Sequence, residues 1–121
     1  MLIEIDFNSN DTLYMQVHDQ IILAVAKSLL NEGDKLPSVR KLADEAGINM
    51  HTVNKAYAML RDEGFIRLDP RHGAVINVSR DKKITPVLER ELRMVMARAV
   101  LKGITREEIH DLVDRFCDEW S

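Results

Sequence analysis

The most constraining stretch of the chain runs from Leu36 to Gly64, where two helical patterns follow each other with almost nothing between them. Pro37 cannot continue a helix from upstream, and Ser38 is a natural N-cap. Val39, Leu42, Ala43 and Ala46 then repeat at helical spacing, and Gly47 supplies a stop. Ile48 and Asn49 alone separate this pattern from the next. Asn49 can cap a second helix whose apolar face is Val53, Ala56, Tyr57 and Leu60 and whose stop is Gly64. Two short helices joined this closely match a helix-turn-helix.

The flanking segments extend the motif. Residues 65–69 (FIRLD) and 74–78 (AVINV) each alternate apolar and polar positions, and Pro70 and Gly73 between them carry turn chemistry. They predict a β-hairpin with a basic tip, which makes the unit a winged helix. Upstream, Leu13, Val17, Ile21 and Ala24 predict a helix from Leu13 to about Leu30, stopped by Gly33. Leu2 to Ile5 fit an edge strand or an arm. Downstream, SRDKK reads as a charged linker, and Thr85-Pro86 opens a helix over Val87–Lys102 that Gly103 stops. Thr105 and Glu108 form a capping box for a last helix. The expected fold is mainly α with a small β-hairpin. A winged helix-turn-helix domain over residues 1–79 precedes a two-helix antiparallel dimerisation tail over residues 80–121.

What the second helix of the motif can do depends on its outer face. At 100° per residue, Met50, His51, Asn54, Lys55 and Ala58 lie opposite the apolar stripe, with Thr52 on the flank. These are mostly short hydrogen-bonding residues and one cation, gathered at the helix N-terminus. A helix presented end-on to a major groove needs such a surface. Asn can pair bidentately with adenine, and a Thr methyl can meet the thymine methyl. Arg71, His72 and Gly73 at the hairpin tip suit a minor groove or a phosphate backbone, and Arg40 and Lys41 add cations in the preceding helix. The same face on a protein–protein module would be a solvated polar surface, and that alternative stands beside double-stranded DNA as the partner.

Net charge points the other way at first. The chain holds 17 basic and 20 acidic side chains, a formal charge of −3, whereas polyanion binders usually carry a basic excess. The deficit is not confined to the tail: residues 1–80 hold 9 basic and 11 acidic groups, and residues 81–121 hold 8 and 9. Position matters more than sum, because Arg40, Lys41, Lys55 and Arg71 fall on the expected contact edge. The balance implies a small footprint with weak non-specific binding.

LPSVRKLADEAGINMHTVNKAYAMLRDEGFI, with GDK before it and RHG after it, resembles the GntR family of bacterial transcription regulators over roughly residues 12 to 78. LPS-x-R, N-x-x-T-V, A-Y-x-x-L and E-G-[FL]-I fall in register. The resemblance implies DNA contacts from Ser38, Arg40 and Lys41 in the first helix of the motif. It implies further contacts from Asn49, Met50, His51, Thr52, Asn54 and Lys55 in the second, and from Arg71, His72 and Gly73 in the wing. Met50 and Asn54 stand where arginine is frequent in the family, and the wing reads H-G-A-V rather than G-x-G-[TS]. The docking mode therefore carries over and the target sequence does not.

The short tail is similar to the YtrA-like branch, in which paired helices join two chains and the regulated operons encode membrane transporters. Two amphipathic helices cannot enclose a core alone. Leu88, Leu92, Val95 and Ala99 on one helix, and Ile109, Leu112, Phe116 and Trp120 on the other, therefore need another surface. A second copy is expected, on a palindromic operator, with a fold back onto the same chain as the alternative. A small-molecule effector could bind between the domains or at the dimer seam.

Other functions find little support. His110, Asp114 and Cys117 share one helix face, but mixed surface polarity explains them better than a metal, and no cofactor or metal is expected. No nucleophile elbow, phosphate-cradling loop or supported carboxylate pair is present, so an enzyme is not expected. One cysteine excludes an intrachain disulfide framework. No apolar run approaches a membrane span, and MLIEIDFNSND does not read as a signal peptide. The expected setting is the cytoplasm.

Overall fold

A computed structural model describes residues 3–80 and 83–121. Leu2, in the expected strand or arm, and Asp81 and Lys82, in the expected linker, lie outside the described residues. The elements are α1 (Leu13–Ala26), α2 (Val39–Ala46), α3 (Met50–Asp62), β1 (Ile66–Asp69), β2 (Gly73–Ile76), α4 (Pro86–Leu101) and α5 (Arg106–Trp120). They fall into two compact units, Met1–Ser79 and Arg80–Ser121.

The first unit is built around α3. Its Val53, Ala56 and Leu60 are fully enclosed and pack with Val17 and Ile21 of α1, Leu42 of α2, and Ile66 and Ile76 of the hairpin. The caps behave as their residue types require. Ser38 Oγ accepts from the Lys41 N–H at 3.1 Å and Asn49 Oδ1 from the His51 N–H at 2.7 Å. β1 and β2 pair antiparallel with Ile66 opposite Ile76 and Asp69 opposite Gly73. The second strand leaves the ladder before the expected residue 78. The Val78 N–H instead donates to Glu32, whose carboxylate also pairs with Arg67 at 3.2 Å. Residues 33–36 run beside β2, with the Leu36 N–H donating to Ala74 O at 2.9 Å and the Ile76 N–H to Asp34 O at 2.8 Å. The wing therefore has a third lane that the sequence does not announce.

One other expectation is corrected. α1 stops at Ala26, well short of Leu30. The Leu29 N–H turns back to Ala24 O and the Ser28 N–H to Val25 O, the hydrogen-bond pair of a Schellman ending. Ser28 takes the left-handed conformation, with φ of 60°, that glycine usually fills, so the stop carries no glycine signal. At the amino terminus, of the two alternatives, residues 3–6 form the arm and not the strand. Gln20 and Gln16, one helical turn apart on α1, hold it through backbone-like amide pairs. The Glu4 N–H donates to Gln20 Oε1 at 3.1 Å, and the Asp6 N–H to Gln16 Oε1 at 2.9 Å.

A buried histidine ties α1 to the end of α3. His18 sits with Nδ1 2.8 Å from Asp19 Oδ1 and Nε2 2.5 Å from Glu63 Oε1. Burial alone would lower its pKa. The hydrogen bonds and charges of Asp19 and Glu63 outweigh that and raise it above the ordinary 6.5. A raised folded-state pKa stabilises fully below 6.5 and is lost as pH climbs through the folded value. The thermal midpoint should fall between about pH 6 and about pH 8, and His18→Gln should flatten that dependence. A slope unchanged in the variant would remove the clasp from the pH response.

In the second unit α4 starts at Thr85, whose hydroxyl accepts from the Leu88 N–H at 3.2 Å, with Pro86 in the first turn. α5 carries the full capping box between Thr105 and Glu108. A tight turn closed by the Ile104 N–H donating to Ala99 O joins them. The two helices do not lie against each other along their length, and neither contains a buried residue.

Candidate nucleic-acid interface

Three segments of the first unit carry the expected contact residues, and each is positioned by a specific local device. α2 begins at Ser38, immediately after Pro37, and the Tyr57 phenol of α3 donates to the Pro37 carbonyl at 2.8 Å. Burial pushes the Tyr57 pKa up, so it stays a neutral donor. This bond fixes the start of α2, and with it Arg40 and Lys41, against α3. Both cations are exposed. Lys35 lies beside Lys41 and Ser38 around one surface depression of about 510 Å³, a third cation the sequence reading passed over.

The N-terminal turns of α3 present Asn49, Met50, His51, Asn54 and Lys55 to solvent, while Thr52 is half-buried. Asn49 is partly committed, since its side-chain oxygen caps the helix. Lys55 leans to the α1 side, its Nζ 3.9 Å from the centre of the Tyr14 ring. That cation–π contact holds the ammonium on the flank of the reading face rather than at its middle.

The wing tip is braced by Asp69. Its Oδ1 accepts from the Arg71 N–H at 2.8 Å and the His72 N–H at 3.1 Å, and the His72 ring lies 3.2 Å away. The Arg71 amide first, then the His72 amide and ring, hold the carboxyl below its ordinary range. Gly73 has φ of 74°, which suits a three-residue hairpin loop closed by a left-handed glycine. Arg71 and His72 therefore stand exposed on an ordered turn. An aspartate before a proline turn is a legible signal for such a brace, and the sequence reading used only the proline and the glycine.

The three segments meet. Ser38 from α2, Asn54 from α3 and Gly73 from the wing line a single cleft of about 340 Å³. Of the expected contact residues, Ser38, Asn54 and Gly73 therefore border one cleft. In the second unit, Leu88, Leu92, Val95 and Phe116 are exposed, while Ala99, Ile109, Leu112 and Trp120 are half-buried. Phe116 and Trp120 stack with ring centres 6.0 Å apart. Among the described residues no group of His, Cys, Asp and Glu could hold a metal ion. No described helix is long and apolar enough to cross a membrane.

Comparison with known proteins identifies the family and the fold. The model of the gntR family of bacterial regulatory proteins matches residues 13–76. The HTH-type transcriptional repressor YtrA of Bacillus subtilis (strain 168) is 32% identical over 118 residues, covering 93% of this chain and 89% of that protein. Among solved structures, YtrA from Sulfolobus acidocaldarius, a GntR-family transcription factor, is 42% identical with a TM-score of 0.70, over 84% of this chain and 99% of that one. A transcriptional antiterminator from Listeria monocytogenes EGD-e is 30% identical with a TM-score of 0.86, over 100% of this chain and 94% of that one. The likeness therefore extends through the tail as well as the wing. The chain belongs to the GntR family of bacterial transcription regulators.

Proposed function

We propose that this regulator is a sequence-specific repressor that works in the cytoplasm as a homodimer on a palindromic operator. The observation that carries the reading is the shared cleft, which gathers Ser38, Asn54 and Gly73 from three separate segments onto one edge. The N-terminal half of α3 enters the major groove. His51, Thr52 and Asn54 read base edges, with Asn49 and Met50 beside them. Ser38, Arg40, Lys41 and Lys55 position the protein on phosphate, and Arg71, His72 and Gly73 reach the adjacent backbone or minor groove. The exposed apolar residues of α4 and α5 are covered by the same helices of a second copy, which tethers two reading heads. Bound to a promoter, the dimer represses by occlusion, as the name of the B. subtilis relative also suggests. A transporter operon as target is carried by the resemblance to the YtrA-like branch.

Titration of a fluorescent duplex at several salt concentrations tests the reading. Binding should weaken steeply with salt, and Arg40→Ala should lower the slope of log K against log salt by about one unit on every sequence. A chain that ignores duplex DNA at low salt would be a protein-binding module instead. An unchanged slope in Arg40→Ala would take Arg40 out of the phosphate set.

A further inference from the structure

The cleft between α3 and the wing contains more than the expected contacts. Besides Ser38, Asn54 and Gly73, its lining includes Ala58 and Arg61 of α3 and Leu68 of β1. Asn54, Ala58 and Arg61 follow each other at spacings of four and three along α3, so they share one side of the helix. Leu68 is 64% exposed, an apolar side chain of β1 that borders the cleft. Arg61 is half-exposed, and its approach to Asp62 at 3.7 Å is a surface pair with little hold on it. No acidic side chain is among the described residues that line the cleft. The lining therefore combines apolar carbon and the short polar side chains of Ser38 and Asn54 with one guanidinium.

Duplex geometry says what such a lining meets. One sugar–phosphate strand separates a major groove from the minor groove beside it. If α3 lies in the first and the wing tip in the second, that strand must cross the space between helix and wing. We propose that the cleft seats this strand, with Arg61 taking a phosphate and Ala58 and Leu68 packing against the deoxyribose carbons. Arg61 is then a DNA-binding residue in the last turns of α3, about two turns beyond Asn54 on the same side of the helix. The assignment rests on the reading of α3 as the major-groove helix.

Anisotropy titrations of the full chain against a short mixed-sequence duplex, across a range of salt, separate the two claims. Arg61→Ala should lower the salt slope by about one unit, whereas Arg61→Lys should keep it. Leu68→Ser should weaken binding several-fold at every salt concentration without changing the slope. Circular dichroism melts matching wild type secure the comparison, and the lysine variant preserves both helix and charge. A wild-type slope that Arg61→Ala leaves intact would overturn the cleft assignment while the DNA-binding reading stands. A wild-type chain that fails to bind the duplex would overturn that reading and the assignment with it.

Discussion

Placing aspartate at both Leu92 and Val95 should convert the proposed dimer to a monomer and lower operator affinity by about a hundredfold or more. Both side chains are more than half exposed on α4, at 54% and 55%. Neither supports the fold of its own chain. On a dimer seam they become buried, and a pair of unpartnered carboxylates there costs more than such an interface can absorb. In the proposed dimer each reading head alone has a small footprint and few cations, so most of the operator affinity is expected to come from tethering two heads together. Sedimentation velocity should show the mass halved, and titration on the operator should show the loss. Intact dimers would place the seam elsewhere, and monomers that bind as tightly as wild type would remove dimerisation from recognition.

Asn54→Ala should cost about 1–3 kcal/mol at the operator, roughly tenfold to a hundredfold, and relax preference at one base pair. Asn54 is exposed on α3 and borders the cleft that also receives Ser38 and Gly73. Its amide offers a donor and an acceptor side by side, the pattern that adenine presents in the major groove. Because alanine is a better helix former than asparagine, α3 itself should not weaken. An equal loss on mixed-sequence DNA would show that Asn54 touches only the backbone.

Much of this was legible in the residues themselves. The caps at Ser38, Asn49, Thr85 and Thr105 are local chemistry, and each one starts its helix where its side chain predicts. The glycine stops at Gly47, Gly64 and Gly103 all adopt positive φ. The end of α1 was not legible, because Ser28 performs a glycine's task with no mark in the composition. Nor was the anchoring of the amino-terminal arm, whose partners are the side chains of Gln16 and Gln20. Long-range polar links such as Glu32 to Val78 and Arg67, His18 to Glu63, and Tyr57 to Pro37 leave no periodic trace. They join residues far apart in the chain, and each partner alone looks like an ordinary surface or core residue.

The contact edge shows the same division. Which residues face outward on α3 follows largely from 100° per residue: Met50, His51, Asn54 and Lys55 are exposed, while Ala58 is half-buried. That Lys55 turns toward Tyr14, that Asp69 braces the wing, and that Arg61 and Leu68 share a cleft with Asn54 depend on how the elements pack. The net charge of −3 describes neither arrangement, since the cations that matter are selected by position.

The most direct measurement is selection of bound fragments from the DNA of the host by the purified full-length chain. Enrichment of an inverted repeat, with half-sites about one helical turn or a multiple of it apart, is the predicted result. Recovery of fragments no different from the input pool, or of single half-sites with no partner, would contradict a dimer that reads DNA through α3.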